Sequence, residues 1–405
     1  MSKLYDVAVI GAGPGGSSAA HYLAQSGLDV LLLDKFDFPR DKTCGDGLTP
    51  RALHVLDDMG ILPEVRKVGF QINGLELHAR SGIQLETPIP AHPQYPNHLI
   101  VAPRLQLDDI IRRRAIQSGA HFESSVRVRG VEQGDGFVRI LSAQGGKQQS
   151  YCAKLLIVAV GANLRLLQDL GILKQAPKLI RAARAYFENV SGLSDHIQAH
   201  FEDVPLPGYG WVFPTSATSA NIGLGYWSTL WPSSHKPASP RSEMDAFLNS
   251  PKLSKMLKDA EMLGPIQSYP LRIDFNSAPT FGERILLVGE SAGLVSPLTG
   301  EGIDFALESG QLAAGFIAQK ISVGDFSASV LAGYDRLLRD HFQSIFRFLS
   351  YMRRLYINPL LMNRTILVSE KRPEIKRILI NVLMSQQHPS EMITPQVVRR
   401  VLLGA

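Results

Sequence analysis

The chain contains little cysteine and no long hydrophobic run. Cys44 and Cys152 are the two cysteines among 405 residues, which excludes a disulfide framework and fits a reducing compartment. No apolar stretch approaches the roughly 18 residues that a membrane-spanning helix requires. We expect no signal peptide, because the first residues lead directly into a strand pattern. These absences predict a cytoplasmic protein.

Charged residues are sparse and unevenly distributed. They make up 20% of the chain against 45% hydrophobic residues, which indicates a globular protein with a large core. The net charge is +5, and residues 334–405 are rich in Lys and Arg but poor in acids. This basic segment suits either an anionic membrane surface or ordinary solvated helix faces. We expect no nucleic-acid partner and no metal site.

A glycine-rich turn near the N-terminus joins two short apolar runs. Residues 5–34 read YDVAVIGAGPGGSSAAHYLAQSGLDVLLLD, which predicts a strand, a helix and a second strand. Gly11 permits the tight turn, Gly13 lets the backbone approach a pyrophosphate, and Gly16 lets the helix pack on the strand. Asp34 stands where an acid can hold a ribose hydroxyl. The pattern predicts a dinucleotide site; a glycine-rich turn in another βαβ unit is the alternative.

A second glycine-rich turn follows a buried-strand pattern later in the chain. The run RILLVG ends at Gly289 and Glu290, and Gly300 to Gly302 then open an apolar helix. Backbone N–H groups at such a turn can meet anionic or carbonyl oxygens. Two such turns suit a long cofactor such as FAD, with its pyrophosphate on the first turn and its ribityl chain and ring near the second.

The pattern between the turns predicts an α/β protein with an inserted sheet. A Rossmann-like FAD-binding domain would alternate with a substrate domain built on an antiparallel sheet with one exposed face, and a helical segment would follow. The predicted FAD-binding parts are 1–70, 99–178 and 276–333, the predicted substrate-domain parts are 71–98 and 179–275, and the predicted C-terminal helical segment is 334–405.

Five segments resemble the FAD-dependent geranylgeranyl reductase family, within the group that shares the p-hydroxybenzoate hydroxylase fold. They are GAGPGG at 11–16, KTCGDGLTPRA at 42–52, Arg104 with Asp108, LPGYGWVFP at 206–214 and PLTGEGI at 297–303. The second segment is closest to the form found in menaquinone prenyl-chain reductases, and the fourth is the most specific. The resemblance covers the chain to about residue 320.

The resemblance implies FAD as the cofactor and a catalytic loop at Cys44, Gly45 and Asp46. On that loop Cys44 would donate a proton or shape the pocket beside the flavin ring; a buried structural cysteine is the alternative. The implied cofactor-binding residues are Gly11, Gly13, Pro14, Gly15, Gly16, Asp34, Lys35, Arg40, Cys44, Arg104, Val128, Gly161, Gly289, Glu290, Pro297, Gly300, Gly302 and Ile303.

Three aromatic residues alternate along one predicted strand. Tyr209, Trp211 and Phe213, followed by Pro214, match the family's substrate-domain motif. Alternate residues on a strand point to one face, so the three rings would form an apolar wall suited to a polyprenyl chain. The alternative is that they belong to an ordinary core.

Three positions depart from the pattern of the larger group. Val160 stands in AVGAN where the group has an aspartate, which disfavours direct use of NAD(P)H. Glu290 replaces an aspartate, but its carboxylate can still bond a ribityl hydroxyl. Asp304 stands where the hydroxylases usually have asparagine, which disfavours a hydroxylase.

The function implied by the resemblance is reduction of isolated C=C bonds in a prenyl chain by hydride transfer from reduced FAD. The substrate would be a prenylated quinone, phospholipid or diphosphate, and an external donor would supply electrons. The alternatives are a flavin-dependent monooxygenase or halogenase, a carotenoid-type cyclase that uses FAD without net redox change, and a non-catalytic flavin or lipid carrier.

A C-terminal apolar stripe bears on the location of the protein. Phe342, Ile345, Phe346, Leu349, Met352 and Tyr356 recur at helical spacing, and Arg347, Arg353 and Arg354 lie elsewhere on the helix. The stripe suits either an interfacial helix on an anionic membrane or packing on the sheet domain over the substrate tunnel. We favour packing.

Overall fold

The computed structural model describes residues 3–227, 238–356 and 359–386. Its elements, in chain order, are β1 (Leu4–Ile10), α1 (Pro14–Gln25), β2 (Val30–Leu33), β3 (Gly47–Leu48), α2 (Pro50–Asp58), α3 (Leu62–Val68), β4 (Phe70–Ile72), β5 (Gly74–His78), β6 (Gln84–Pro88), β7 (Leu99–Val101), α4 (Arg104–Gln117), β8 (His121–Glu123), β9 (Arg127–Gln133), β10 (Val138–Gln144), β11 (Lys147–Val158), α5 (Leu164–Asp169), β12 (Leu179–Glu188), β13 (His196–His200), β14 (Gly208–Pro214), β15 (Ala220–Trp227), α6 (Pro240–Leu248), α7 (Pro251–Met256), β16 (Glu261–Arg272), β17 (Phe281–Gly282), β18 (Ile285–Leu287), a 3₁₀ turn (Gly289–Ala292), α8 (Ile303–Lys320), α9 (Ala328–Tyr356), α10 (Pro359–Lys371) and α11 (Pro373–Leu383).

The first sheet has the Rossmann-like character that the sequence predicts. Its order is β17-β18-β11-β1-β2-β8, with parallel pairing from β18 to β8. Strands buried on both faces need continuous apolar runs, and the four residues of β2 are accordingly all buried. The predicted Rossmann-like domain is confirmed. Its two glycine turns follow β1 and β18 at the same edge of the sheet.

Gly16 fixes the distance between α1 and β1. A Cβ atom on Gly16 would collide with the carbonyl oxygen of Gly11, whose φ is +105°. Helix α1 also contacts α8, where the Ser18 hydroxyl donates to the carbonyl of Leu307 (2.8 Å). The first glycine turn and the helix after the second turn are therefore packed together.

The second sheet differs from the prediction in three respects. Its order is β16-β12-β15-β14-β13-β5-β6, and the β5–β13 pair is parallel, so a purely antiparallel sheet is wrong. The predicted exposed face is wrong for β15, whose residues are all buried, because helix α6 covers one face with Met244 and Phe247. Strand β16 was not predicted, since Gly264, Pro265 and Pro270 interrupt its pattern and half of it is exposed.

The C-terminal apolar stripe is packed, as favoured, but against a different partner. Phe342 and Phe346 of α9 lie edge-on against Phe275 and Phe305 in the core beside the first sheet. The expected packing of this stripe over the sheet domain is therefore wrong. Arg353 is also buried, whereas Arg347 and Arg354 are exposed.

Helices α10 and α11 cover the second sheet instead. Met362, Ile366 and Ile380 share a buried cluster with Leu75 and Leu85 of β5 and β6. The side chain of Tyr356 and residues 387–405 of the predicted helical segment lie outside the described residues. Within the described ranges, no helix combines the length and apolarity needed to cross a bilayer.

Candidate functional site

A cavity of about 740 Å³ lies between the two sheets. Its walls come from the first glycine turn, the segment 40–47, the inner face of the second sheet and the turn before α8. Ligands of open parallel sheets bind beyond the carboxyl ends of the strands, and this cavity lies beyond the ends of β1 and β18. The loop between β2 and β3 thus joins both halves of the fold at one site.

The first turn presents backbone N–H groups to the cavity. Helix α1 begins after Gly13 with Pro14 in its first turn, and no side chain of the described residues caps it. Asp34 is buried and accepts the N–H groups of Ala12 (2.7 Å) and Phe36 (2.9 Å). It therefore fixes the turn as well as lining the cavity.

Two arginines share one buried carboxylate at the side of the cavity. Arg104 donates to Asp108 through Nε (2.6 Å) and Nη2 (2.7 Å), and Arg40 donates to the same carboxylate (3.0 Å). Burial disfavours the charge on Arg104, but Asp108 raises its pKa above the ordinary value. Arg104 therefore stays charged beside the cavity, paired with Asp108.

Segment 40–47 is fastened to the inner face of the second sheet. Asp41 forms an ion pair with Arg184 of β12 (2.6 Å), and the Thr43 hydroxyl donates to Gln267 of β16 (3.2 Å). Both partners lie on neighbouring strands that face the cavity. These contacts place the Cys44 loop between the two halves of the protein.

Asp46 lies near the end of this segment. It is fully buried, and its backbone has a positive φ, which is strained for a residue other than glycine. Its φ is +65°, and its Oδ2 atom accepts hydrogen bonds from the Tyr186 hydroxyl (2.5 Å) and the Asn221 amide (2.8 Å). The same amide donates to the carbonyl of Cys44 (2.7 Å). Burial raises the pKa of Asp46 to about 6, although both hydrogen bonds favour the ionised form. Asn221 thus ties the loop to β15.

The three alternating aromatics form one wall of the cavity. The ring centroids of Tyr209 and Trp211, and those of Trp211 and Phe213, are 6.1 Å apart. The Trp211 indole donates to Asn221 (3.0 Å), and a Cβ atom on Gly45 would lie 3.1 Å from the Phe213 ring. The glycine therefore lets the loop approach the aromatic wall closely.

The second turn brings a carboxylate and a lysine together. Glu290 accepts the N–H of Arg272 (3.1 Å) and forms an ion pair with Lys42 (3.2 Å) next to Gly161. The sequence reasoning missed Lys42, although it lies directly before the Cys44 motif. It also missed Glu301, which lines the cavity between Gly300 and Gly302. A charged residue between two glycines was the feature of the sequence that could have indicated this site residue.

Most of the predicted site residues line this single cavity. Three do not: Gly16 faces β1, and Pro214 and Pro297 lie outside the lining. The predicted residues that line it are Gly11, Gly13, Pro14, Gly15, Asp34, Lys35, Arg40, Cys44, Gly45, Asp46, Arg104, Val128, Gly161, Tyr209, Trp211, Phe213, Gly289, Glu290, Gly300, Gly302 and Ile303.

Comparisons with known proteins agree with this geometry. Residues 4–348 match the family described as FAD binding domain. A menaquinone reductase of Mycolicibacterium smegmatis is 33% identical over 353 residues, which cover 84% of this chain and 82% of that protein. The chain belongs to the FAD-dependent geranylgeranyl reductase family. Its cofactor is FAD, for which the uncapped helix N-terminus and the close approach at Gly13 are suited.

Other members and neighbours of this family extend the comparison. A digeranylgeranylglycerophospholipid reductase of Methanopyrus kandleri is 29% identical over 84% of this chain and 88% of its own length. A geranylgeranyl bacteriochlorophyll reductase-like protein of Thermoplasma acidophilum has a TM-score of 0.79 at 22% identity, covering 99% of this chain and 96% of that chain. A flavin-dependent brominase has a TM-score of 0.77 at 22% identity, with 99% of each chain covered. These two structures share the fold.

Removing the Tyr186 hydroxyl tests the environment of Asp46. In the wild type we expect the Asp46 carboxyl to titrate with a pKa of about 6. Because an unfolded aspartate titrates near about 3.9, ionisation of Asp46 lowers stability as the pH rises between these two values. Tyr186→Phe removes a donor to the carboxylate and should raise the pKa further, as measured by NMR of carboxyl-labelled aspartate.

The matched control for this titration is Tyr226→Phe. The Tyr226 hydroxyl donates to the carbonyl of Ala238 (2.8 Å), away from the Asp46 loop. This variant should leave the Asp46 midpoint unchanged. An equal midpoint in Tyr186→Phe and wild type would contradict the assigned contact.

Proposed function

We propose that this protein reduces isolated C=C bonds in the prenyl chain of a quinone, phospholipid or diphosphate. The observation that carries the proposal is one continuous cavity, which runs from the two glycine turns to the aromatic wall. An isolated alkene has no carbonyl to take up charge, so the substrate must be held close to the cofactor and away from water. The names of the relatives support the same class of substrate.

In this proposal the first half of the cavity binds the nucleotide part of FAD. Gly11 and Gly13 would let the backbone N–H groups at the start of α1 meet the pyrophosphate, and Asp34 would bond the ribose. Arg104 would lie along the cofactor, and Glu290 would bond the ribityl chain. When bound and reduced, FAD supplies a hydride; the chain supplies orientation and exclusion of water.

The loop of Cys44, Gly45 and Asp46 would close the reacting end against the aromatic wall. Gly45 contacts Phe213 from the loop side, and Asn221 binds both the loop and Trp211. We propose that these contacts hold the prenyl double bond at a fixed distance from the cofactor. A displacement of about 1 Å at such a site is enough to lower the rate strongly.

The far end of the cavity is apolar and suits the remainder of the prenyl tail. Ile180, Trp227, Leu271 and Val295 line it, and all are buried or half-buried. Gly225 lies among them on β15, directly opposite Tyr209 of the aromatic wall. We infer that the missing side chain at Gly225 leaves the space through which the tail passes.

The test of the proposed reaction is an anaerobic assay of the flavin-loaded protein. The flavin is reduced with dithionite and mixed with geranylgeranyl substrates. We expect products that have gained two hydrogen atoms, with reoxidation of the flavin, and none in a sample without protein. Dithionite makes the result independent of the natural electron donor, for which Val160 disfavours NAD(P)H.

Other outcomes of this assay would identify a different activity. A product that gains oxygen or a halogen after air is admitted would indicate a monooxygenase or halogenase. A cyclised product of unchanged mass would indicate a cyclase. Bound FAD and prenyl lipid with no product would indicate a carrier.

Substitution of Gly225 tests the path of the tail. A Cβ atom there would contact Ile180 (3.5 Å) and Ala182 (3.9 Å) without a clash, so a larger side chain is directed into the cavity. Gly225→Leu should raise KM for a geranylgeranyl substrate by about tenfold, or about 1.4 kcal/mol, and affect a short prenyl substrate less. The FAD content should stay unchanged.

The matched control is Gly315→Leu on α8. A Cβ atom at Gly315 meets no atom within 4 Å, so this variant adds the same side chain away from the cavity. Equal KM values for Gly225→Leu, Gly315→Leu and wild type would contradict the proposed path.

We propose a peripheral contact with an anionic membrane on the outer faces of α9 and α10. The stripe of α9 is buried, but Tyr351 and Leu360 are 58% and 79% exposed, and Arg347 and Arg354 are exposed on α9. Exposed apolar side chains beside arginines are typical of surfaces that bind anionic lipids. The proposed substrates reside in membranes.

Liposome flotation tests this contact. The protein should float with vesicles that contain phosphatidylserine and remain unbound with pure phosphatidylcholine vesicles. Leu360→Asp should reduce flotation, and Leu105→Asp, at another exposed leucine, should not. Absence of binding to anionic vesicles would contradict the proposal.

A further inference from the structure

Glu301 has a carboxyl group to which the proposed reaction assigns no role. It lies in the turn before α8, between two glycines, and lines the cavity. Its Oε2 atom is buried and has no hydrogen-bond partner among the described residues. The carboxyl group also hydrogen-bonds with the Thr299 hydroxyl. One oxygen of this group is therefore available for a ligand in the cavity.

The position of Glu301 places it at the beginning of the aromatic wall. The Tyr209 hydroxyl donates to the carbonyl of Thr299 (2.5 Å), so the turn and the wall are joined at one residue. Burial, followed by the nearby Glu301 and Cys44 side chains, raises the pKa of Tyr209 above its ordinary value. The carboxyl group therefore lines the same cavity as the aromatic wall, on a turn that is bonded to that wall at Tyr209.

The surroundings of Glu301 favour the protonated form of its carboxyl group. Burial, followed by the neighbouring Asp304 carboxylate, raises the pKa of Glu301 well above its ordinary value, and Thr299 and Arg51 oppose this only in part. Arg51 is engaged elsewhere, since it donates to Glu308 (3.0 Å) and to the carbonyl of Ser385 (2.8 Å). A neutral carboxylic acid is a proton donor, whereas a carboxylate is not.

We propose that Glu301 is the catalytic acid that donates a proton to the prenyl C=C bond. The inference rests on the proposed function. In this step the electron pair of the π bond would take the Glu301 proton at one carbon, and the other carbon would receive the hydride that reduced FAD supplies. Two C–H bonds would form, FAD would be oxidised by two electrons, and Glu301 would be left as a carboxylate that regains a proton from solvent.

The two other candidates on the catalytic loop are engaged in different contacts. Burial lowers the pKa of Arg104, whereas Asp108 and then Cys44 raise it, so the Cys44 side chain lies near a permanent cation. The Oδ2 atom of the fully buried Asp46 contacts Tyr186 and Asn221 and holds the loop on the second sheet, while its Oδ1 atom has no hydrogen-bond partner among the described residues. Asp46→Asn should keep the pH dependence that Glu301→Gln loses; loss of that dependence in Asp46→Asn instead would overturn the assignment to Glu301.

The test compares Glu301→Gln with Asp46→Asn and with the control Glu132→Gln in the flavin-loaded protein. Reoxidation of dithionite-reduced flavin by a geranylgeranyl substrate is followed anaerobically. Glu301→Gln should lower this rate by about a hundredfold or more, while its FAD content and its reoxidation by oxygen stay at wild-type levels. Glu132→Gln, which changes an exposed glutamate outside the cavity lining, should retain the wild-type rate.

The pH dependence separates a proton donor from a structural role. The groups that face Glu301 are Asp304 on α8, Arg51 on α2 and Tyr209 on β14. The wild-type rate should fall as the pH rises through the Glu301 pKa. Asp304→Asn removes a negative charge, which lowers that pKa, so the fall should move to lower pH; in Glu301→Gln it should be absent.

Infrared spectroscopy gives a readout that needs no turnover. At neutral pH the carbonyl band of a buried carboxylic acid should be present in the wild type and lost in Glu301→Gln. If Glu301→Gln does not fold, Glu301→Asp serves instead: it should retain a reduced rate and a displaced pH profile.

The outcomes that overturn the proposal are distinct from failure of the proposed function. A Glu301→Gln variant with wild-type turnover, an unchanged pH profile or an unchanged infrared band would overturn the role of Glu301 alone. A wild-type protein that binds FAD but reduces no prenyl substrate would overturn both proposals.

Discussion

The attachment of segment 40–47 to the second sheet is the constraint on which the cavity depends. This segment leaves β2 of the first sheet and contacts three strands of the second: β12 through Arg184, β15 through Asn221 and β16 through Gln267. Without these contacts segment 40–47 would not connect the two sheets at the cavity. The Asp41–Arg184 pair contributes because the Arg184 side chain is only 3% exposed, so solvent screens it weakly.

Charge is arranged along the cavity in a consistent order. Arg40 and Arg104 share Asp108 at the nucleotide end, and Lys42 neutralises Glu290 in the middle. Beyond these pairs the lining gains aromatic rings and aliphatic side chains, beside the carboxyl groups of Asp46 and Glu301 and the Asp41–Arg184 ion pair. A ligand that is anionic at one end and hydrocarbon at the other matches this order, because each part meets the surroundings in which its transfer from water costs least.

The sequence predicts the parts of this site that are local. The strand–glycine–helix unit from Tyr5 to Asp34 and the alternating aromatics of β14 are visible because their spacing lies within a few residues. The partner of Lys42 lies 248 residues away and the partners of Asp46 lie 140 and 175 residues away, so no pattern along the chain reveals them. Strand β16 escaped prediction because its sheet partners, and not its own residues, make it a strand. The burial of Glu301 is likewise a tertiary property.

The parallel β5–β13 pair fixes when the β5–β6 hairpin can join the second sheet during synthesis. Asn73, just before β5, contacts Asp195, which is 122 residues later in the chain. Until β13 has been made, one edge of the β5–β6 hairpin has no strand beside it. The apolar face of the hairpin stays uncovered for longer, because Met362 and Ile380 of α10 and α11, which cover it, are made later. A nascent chain therefore carries an exposed strand edge from the synthesis of β6 until β13 is made, and such edges are sites at which other chains associate.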